Sequence, residues 1–261
     1  MKQVASLRYG VIFKKAFCDL EIFKTFVHDV LGITLEIDKV ETEKTFDKPI
    51  SKVIPRFDLY AEDLKNRVIV DIQHERLSDY YHRFLYYHCV ALLEQISKAV
   101  DYRPTLKVFT IVVLTSGDKH GVDVSVIDFD PHDLKGKALG EIPHKVYYLC
   151  PKYATDQTPS PYREWLQAID DTLDNIVDET AYQNPIIRRV FDLIEDDLVS
   201  PKERAKMFDE SGDEKLLDDA VTKAKLEIAK AMLADGFAPS VIARLTKLSV
   251  AEIEELNEEE S

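Results

Sequence analysis

Two acidic side chains and an amide interrupt a part of the sequence that otherwise has the apolar pattern of β-strands. Asp58 lies in the segment VIPRFDLYAED (53–63), and Asp71 and Gln73 lie at the end of KNRVIVDIQ (65–73). An ionised carboxylate buried without a partner is costly, because it loses its hydration. Two carboxylates that lie close together need a cation or a proton between them. These residues therefore point to a metal ion or to a shared proton.

The side-chain periodicity of strands indicates which of these groups lie together. Asp71 and Gln73 share a face of their strand and lie about 6.6–7 Å apart along it. The short connection from Glu62 to Asn66 predicts a hairpin that brings Asp58 within reach of Asp71. Mg²⁺, with Mn²⁺ as the alternative ion, favours one or two carboxylates together with waters and substrate phosphates. The amide of Gln73 would then orient an attacking water or a phosphate oxygen.

A solvated hairpin is the alternative interpretation of the same residues. Asp58 and Asp71 would then lie on a half-exposed face in water, with no metal between them. An Asp-x-Gln pair is frequent by chance, so spacing alone leaves this alternative open.

The elements around the hairpin follow the order α-β-β-β-α-β and predict an α/β fold. Gly32 is placed to end the first helix, and Ser78 is placed to cap the second. The predicted elements are a helix over 8–32, strands over 33–41, 53–63 and 65–73, a helix from Ser78 to about Ala99, and strands over 106–117 and 144–150.

Composition and charge are those of a globular protein with an acidic C-terminal part. Of the 261 residues 45% are hydrophobic, and no apolar run has the roughly 20 residues of a membrane helix. Residues 1–150 carry 21 Lys and Arg against 22 Asp and Glu, whereas residues 151–261 carry 13 against 26. The second part is therefore a poor candidate for a phosphate-binding surface. Because the sequence shows no signal-peptide pattern, we expect a cytoplasmic protein with no membrane partner.

A cluster of prolines marks the predicted domain boundary. Four prolines lie between residues 143 and 161, and almost every segment after them has a helical pattern. We predict one domain over residues 1–155 and an acidic, all-helical region over residues 156–261. The three cysteines lie far apart and predict neither a disulfide framework nor a zinc site.

Several segments, taken together, resemble a known group of nucleases. These segments are FKKAF (13–17), PRFDLYAED (55–63), RVIVDIQHER (67–76), RFLYYH (83–88) and DYRPTLKVFTIVVL (101–114). They resemble the PD-(D/E)XK nuclease superfamily, and more closely its branch of recombination-promoting nucleases and related transposases. The resemblance covers about the first 150 residues. It implies a restriction-endonuclease-like αβββαβ core, in which helices flank a mixed sheet.

The resemblance also implies a Mg²⁺-dependent phosphodiesterase that acts on DNA. Asp58 matches the first Asp of the family signature, Asp71 matches its second acid, and Gln73 stands where lysine is usual. Asp58 and Asp71 are the expected metal ligands. Asp71 is one methylene shorter than the commoner Glu, and Gln73 can be neither a cation nor a general base. Water activation would fall to the metal, with Gln73 positioning the water.

Cationic side chains near the hairpin are candidate contacts for the DNA backbone. Arg83 begins the helix beside the site, where it could bind a phosphate through two hydrogen bonds or pair with an acid. Lys14 and Lys15 could contact phosphate, although a solvated lysine pair is the simpler interpretation. Glu21 could add a third acid, as in some members of the superfamily, although its spacing in the sequence does not indicate this. His74 points to the other face, so we interpret it as a structural or surface histidine.

Aromatic side chains and the C-terminal tail offer further contacts. The segment 235–256 resembles the small helix-turn-helix-like tail of the same branch, and Ser249 is the predicted N-cap of its second helix. That helix begins with acidic residues, which repel phosphate, so we favour packing or a homodimer through the C-terminal helices. Four tyrosines could stack on bases but have helical spacing typical of a core: Tyr80, Tyr81, Tyr86 and Tyr87.

Two functions follow from these residues. The first is a metal-dependent DNA endonuclease that promotes recombination or transposition. The alternative is a catalytically silent member of the same fold that binds DNA or protein, with its acidic helices as the interaction surface. Metal-dependent cleavage separates the two.

Overall fold

The computed structural model describes residues 1–46, 53–74, 80–96 and 102–249, together with residues 253 and 256. Its strands are β1 (Lys2–Gln3), β2 (Glu41–Lys44), β3 (Phe57–Glu62), β4 (Asn66–Gln73), β5 (Lys107–Leu114), β6 (Val124–Asp128), β7 (Lys145–Leu149) and β8 (Ile176–Val177). Its α-helices are α1 (Gly10–Phe17), α2 (Leu20–Leu31), α3 (Tyr80–Ile96), α4 (Tyr162–Asp171), α5 (Pro185–Leu193), α6 (Pro201–Ala234) and α7 (Pro239–Thr246).

A mixed sheet of six strands forms the centre of the fold, in the order β2-β3-β4-β5-β7-β6. Strands β4, β5 and β7 run parallel, whereas β2, β3 and β6 are each antiparallel to their neighbours. Helix α3 connects β4 to β5, as the crossover between parallel neighbours requires. The predicted α/β core, with helices flanking a mixed sheet, is confirmed.

Strands β4 and β5 form the most deeply buried part of the sheet. They pair in parallel from Asn66 opposite Lys107 to Gln73 opposite Leu114. Seven of the eight residues in each strand are buried, because helices cover both faces of the sheet. Such strands need apolar side chains at nearly every position. Asp71 is thus an ionisable residue inside an apolar run.

The two faces of the sheet pack on two separate sets of helices. Val68 and Val70 of β4 belong to a core cluster that includes residues of α1 and α2. Ile69 belongs to a second cluster with Phe84 of α3. Because side chains alternate along a strand, Asp71 lies on the face that α3 covers.

The predicted helix over residues 8–32 is two helices. It breaks after Phe17, and the Asp19 side chain caps α2 by accepting hydrogen bonds from the amides of Glu21 and Ile22. Apolar spacing continues across the break, so periodicity alone does not reveal it. Gly32 ends α2 with a φ of 68°, as predicted.

The predicted strand over residues 33–41 is wrong. Leu35 and Ile37 are buried, yet the first strand of the sheet is β2, which begins at Glu41. The alternation of residues 33–37 reflects packing on the core without backbone pairing. Strand β6 was not predicted, and the predicted helix cap Ser78 lies outside the described residues.

The helices that follow residue 155 pack on the same core as α1 and α2. Trp165 of α4 lies 5.1 Å from Phe26 of α2 between ring centroids, and Phe191 of α5 is fully buried in that cluster. Residues 2–5 reach the same region, because β1 pairs with β8 and the Ala5 amide donates to the Ile194 carbonyl at 2.8 Å. By contacts, Met1–Met207 form one compact unit and Phe208–Ser261 a second. A domain boundary near residue 155 stays a prediction.

The C-terminal unit is a small helical assembly. Helix α6 ends at Ala234, Gly236 follows with a φ of 81°, and the Phe237 amide donates to the Met232 carbonyl at 3.0 Å. These two features form a Schellman cap. A small buried cluster joins α6 to α7 and to the residues after it: Ala229, Ile242, Leu248, Ile253 and Leu256. In the described part of the chain, no helix is both long and apolar enough to cross a membrane.

Candidate active site

Asp58 and Asp71 lie at opposite positions on β3 and β4, where the pairing of the two strands ends. The last backbone pair at this end is Leu59 with Val70, so the register places Asp58 opposite Asp71. The Asp58 amide donates to Asp71 Oδ1 at 3.1 Å, and the Ile72 amide donates to Asp58 Oδ2 at 3.1 Å. Each carboxylate therefore accepts a hydrogen bond from the backbone of the opposite strand. The structure thus brings these two predicted site residues together.

The side-chain alternation of β3 breaks at the same place. Strict alternation puts Phe57 with Leu59, but Phe57 packs with Tyr60 in the cluster below α3. Asp58 instead contacts Lys14 of α1, a helix that packs on the opposite face of the sheet from α3. Phe57 therefore lies on the α3 face, and the alternation breaks where the regular β3–β4 pairing ends at Leu59.

Asp71 is the most buried acid of the site. It is 3% exposed, and in the described residues no hydrogen-bond partner reaches its Oδ2. Burial raises the pKa of Asp71 well above its usual range, and the negative charge of Asp58 raises this pKa further. The solvated alternative is therefore wrong for Asp71. A buried carboxylate oxygen without a partner calls for a cation or a proton.

Asp58 is partly exposed and contacts a positive charge. Its side chain is 24% exposed, and the Lys14 ammonium lies 3.3 Å from its Oδ1. Burial raises the pKa of Asp58, and the charge of Lys14 reduces this effect without removing it. Burial alone would lower the pKa of Lys14, but Asp58 and Glu43 together raise it. Lys14 therefore remains a cation at neutral pH.

Glu43 is a third acid beside the pair, and it was not predicted. The β2–β3 register places Glu43 opposite Asp58, so three acids lie in a row across three strands. The Glu43 carboxylate pairs with Lys14 and with Arg56. Its φ of 55° lies in the left-handed region, which is uncommon for a residue other than glycine. The sequence signal was weak, because Glu43 lies in a short polar strand between the segments 33–41 and 53–63 that were predicted as strands.

Gln73 and Arg83 contact each other beside the carboxylates. Arg83 Nη1 donates to Gln73 Oε1 at 3.2 Å, and the guanidinium lies 5.5 Å from the ring centroids of Phe84 and Tyr87. A guanidinium has only donors, so it must bind the oxygen of the amide. The NH₂ group of Gln73 is thereby set as the donor toward its remaining surroundings. This contact also holds Arg83 near Asp71, where its charge lowers the pKa of that acid.

Three other candidate residues have partners elsewhere. Lys15 donates to the Leu198 carbonyl at 2.5 Å and pairs with Glu203 at 3.2 Å. Glu21 pairs with Arg189 at 3.0 Å. His74 Nδ1 lies 2.8 Å from Thr115 Oγ1. The structure does not bring Lys15 or Glu21 to the two aspartates, and a phosphate contact by Lys15 stays a prediction.

The tyrosines of α3 belong mainly to the core. Tyr87 is buried, and Tyr81 and Tyr86 pack against the same cluster. Tyr81 donates to Asp118 Oδ2 at 2.6 Å, and Tyr86 donates to the Val53 carbonyl at 2.6 Å. The side chain of Tyr80 lies outside the described residues. These contacts agree with the core interpretation for the three described tyrosines.

The site offers two carboxylates to a metal ion. Across residues 1–46, 53–74, 80–96 and 102–249, no three His, Cys, Asp or Glu side chains are grouped so that they could hold a metal. Mg²⁺ is commonly bound by one or two carboxylates, with waters and substrate phosphates completing its shell. The unpartnered Oδ2 of Asp71, next to the partly exposed Asp58, fits such an ion.

Comparisons with known proteins identify the family of the chain. The family model for the PD-(D/E)XK nuclease family transposase matches residues 11–225, which include the whole candidate site. A second model, for the C-terminal HTH domain of the Rpn/YhgA-like nuclease family, matches residues 222–258. No curated protein and no solved structure matches the chain. The first match spans well over half of the sequence, so the chain belongs to the PD-(D/E)XK nuclease family of transposases and ends in an HTH domain.

Proposed function

We propose that the protein is a divalent-metal-dependent DNA endonuclease whose metal ligands are Asp58 and Asp71. The observation that carries this proposal is the Oδ2 atom of Asp71, which is buried and has no hydrogen-bond partner in the described residues. Leaving such an atom unpaired costs about 1–3 kcal/mol, and more when it is charged. A cation held by Asp58 and Asp71 would remove that cost.

The two carboxylates are held ready for a hard cation of the Mg²⁺ or Mn²⁺ type. One oxygen of each carboxylate accepts a hydrogen bond from a backbone amide, and this bond fixes the orientation of the other oxygen. The raised pKa of each acid favours a shared proton when no metal is bound. When bound, such an ion lowers the pKa of a coordinated water and offsets phosphate charge.

Gln73 and Arg83 position the substrate in this proposal. Because the guanidinium binds Oε1, the Gln73 amide presents its NH₂ group as a donor to a phosphate oxygen or to the attacking water. Arg83 itself supplies a charge for the DNA backbone. The phosphate contact suggested for Lys15 is secondary, because its ammonium contacts Glu203 and the Leu198 carbonyl rather than the two aspartates.

DNA is the substrate that the family and the HTH domain support. Residues 222–258 carry five Lys and Arg against six Asp and Glu, so the strong acidity of the C-terminal region does not extend to the HTH segment. Phosphate binding by this segment is therefore not opposed by a large net charge. We further propose that the protein acts in recombination or transposition in the cytoplasm. We also propose that it forms a homodimer through its C-terminal helices.

Nicking of supercoiled plasmid tests the proposal. The full chain is incubated with Mg²⁺, with Mn²⁺ and with EDTA, alongside Asp58→Asn, Asp71→Asn and the exposed control Asp38→Asn. We expect metal-dependent nicking by the wild type and the control, and loss of nicking in both site variants. Folded wild-type protein that never nicks DNA would refute the proposal and favour a silent binding module. Nicking that persists in both site variants would refute the ligand assignment.

A further inference from the structure

The proposed nuclease centre lacks the positive charge that its motif would place on β4, because Gln73 is neutral. A cation from another element lies beside the acids instead. Lys14 of α1 is 3.3 Å from Asp58 Oδ1, and its side chain is only 20% exposed. It also pairs with Glu43, the residue opposite Asp58 in the sheet.

We propose that Lys14 is a catalytic residue whose ammonium binds the scissile phosphate and stabilises the negative charge that develops in hydrolysis. Glu43 is the positioning residue that holds this ammonium beside Asp58. The proposal rests on the endonuclease function proposed above. It assigns to α1 and β2 a part of the chemistry that the Asp-x-Gln motif cannot perform.

The reaction defines what Lys14 does and what it does not do. A water oxygen forms a bond to phosphorus, and the bond from phosphorus to the leaving oxygen breaks. The attacking water gives its proton to solvent, and the leaving oxygen takes one from solvent. Lys14 keeps its proton throughout and acts by its charge, as preorganised donors do toward a developing oxyanion.

The backbone of Glu43 supports this positioning role. A non-glycine residue with a φ of 55° inside a strand is strained, and such outliers are concentrated at functional sites. The strained residue carries the carboxylate that pairs with both Lys14 and Arg56. An ordinary surface ion pair between flexible side chains would not require an unusual backbone at one partner.

Single-turnover nicking in Mn²⁺ tests Lys14 directly. We expect Lys14→Gln to slow cleavage by about 100-fold, the loss typical of one oxyanion donor, and Lys14→Arg to retain more activity than Lys14→Gln. Lys24→Gln, on α2, is the matched control and should cleave at the wild-type rate. Lys14→Gln that cleaves as fast as Lys24→Gln would overturn the assignment.

Mn²⁺ binding by calorimetry gives a readout that is independent of cleavage. Lys14→Gln removes a positive charge next to the proposed metal ligands. The variant should therefore bind Mn²⁺ up to about tenfold more tightly than the wild type. Weaker binding in this variant would show that Lys14 supports the metal ligands rather than the phosphate, and would overturn the proposal.

A double-mutant cycle tests whether Glu43 acts through Lys14. Glu43→Gln should lower kcat on the order of tenfold with little change in KM, because the amide holds the ammonium less firmly. The same change in the Lys14→Gln background should have no further effect. Additive losses would overturn the positioning role. A wild type that does not cleave removes the proposed function and this inference together, whereas a cleaving wild type with an equally active Lys14→Gln removes only the inference.

Discussion

Replacement of Asp71 by Asn should abolish metal-dependent cleavage and at the same time stabilise the metal-free protein. The new side-chain amide still has an oxygen that can accept the hydrogen bond from the Asp58 backbone N–H. The substitution removes a buried negative charge. Residues directly opposite on neighbouring antiparallel strands have Cβ atoms about 5 Å apart. Two unit charges at that distance repel by about 3 kcal/mol at an effective dielectric constant near 20. Lys14 already offsets part of the Asp58 charge, so we expect a net gain of about 2 kcal/mol.

The gain in free energy of unfolding should increase as pH rises. The pKa of Asp71 is raised in the folded protein, so its protonated form contributes stability at low pH. The wild type loses that contribution as pH rises from the unfolded-state pKa near 4 through the folded-state pKa. Asp71→Asn has no such group, so its advantage over the wild type grows across the same window.

Urea unfolding in EDTA at pH 5 and pH 8 measures the difference. Trp165 is the single tryptophan and is buried in the Met1–Met207 unit, so its fluorescence reports the unit that contains the site. Mn²⁺ at 100 times its dissociation constant should add about 2.7 kcal/mol to the wild type alone and reverse the order. Asp38→Asn should match the wild type throughout. The reasoning would be refuted if Asp71→Asn were less stable than the wild type in EDTA at pH 8. It would also be refuted if the difference in free energy of unfolding were the same at both pH values.

Three further variants probe the surroundings of the site. Arg83→Gln removes the donor that orients Gln73, so single-turnover nicking should slow about tenfold or more while Mn²⁺ affinity in calorimetry stays within a few-fold. His88 is fully buried with its pKa lowered to about 3, so the wild type should lose about 2 kcal/mol between pH 6.5 and pH 5 as the unfolded chain takes up a proton. His88→Gln should lack that part of the pH dependence in urea unfolding, and an unchanged slope would contradict it. Phe17→Ala leaves a cavity beside Phe13, whose ring centroid is 4.2 Å away, and should lower the free energy of unfolding by about 3–5 kcal/mol in the same assay.

The hairpin that carries Asp58 and Asp71 could be predicted from sequence, because its determinants are local. Period-two alternation, a short polar turn and a continuous apolar run specify β3 and β4. The same reasoning failed for β2, which is a polar strand of four residues at the edge of the sheet. Its position depends on pairing with β3, a tertiary contact that leaves little trace in local pattern. Glu43 was missed for this reason.

Lys14 illustrates the limit of spacing arguments for sites built from several elements. Its position in α1 is visible in the sequence, but its contact with Asp58 spans 44 residues. Only the packing of α1 against the sheet brings the two together. The residues after position 155 show the same limit, since their composition changes at the prolines while Trp165 and Phe191 complete the core of the earlier residues.

The pairing of β1 with β8 has a consequence for biosynthesis. Residues 2 and 3 are translated well before their partners, residues 176 and 177. At 5–20 residues per second this delay is roughly 10–35 seconds. The hairpin bearing both aspartates can pair during that interval, whereas the apolar side chains of α1 and α2 that pack on Trp165 and Phe191 stay exposed. A transcript cut before the codon for Ile194 would therefore yield an aggregation-prone chain rather than a free-standing nuclease fragment.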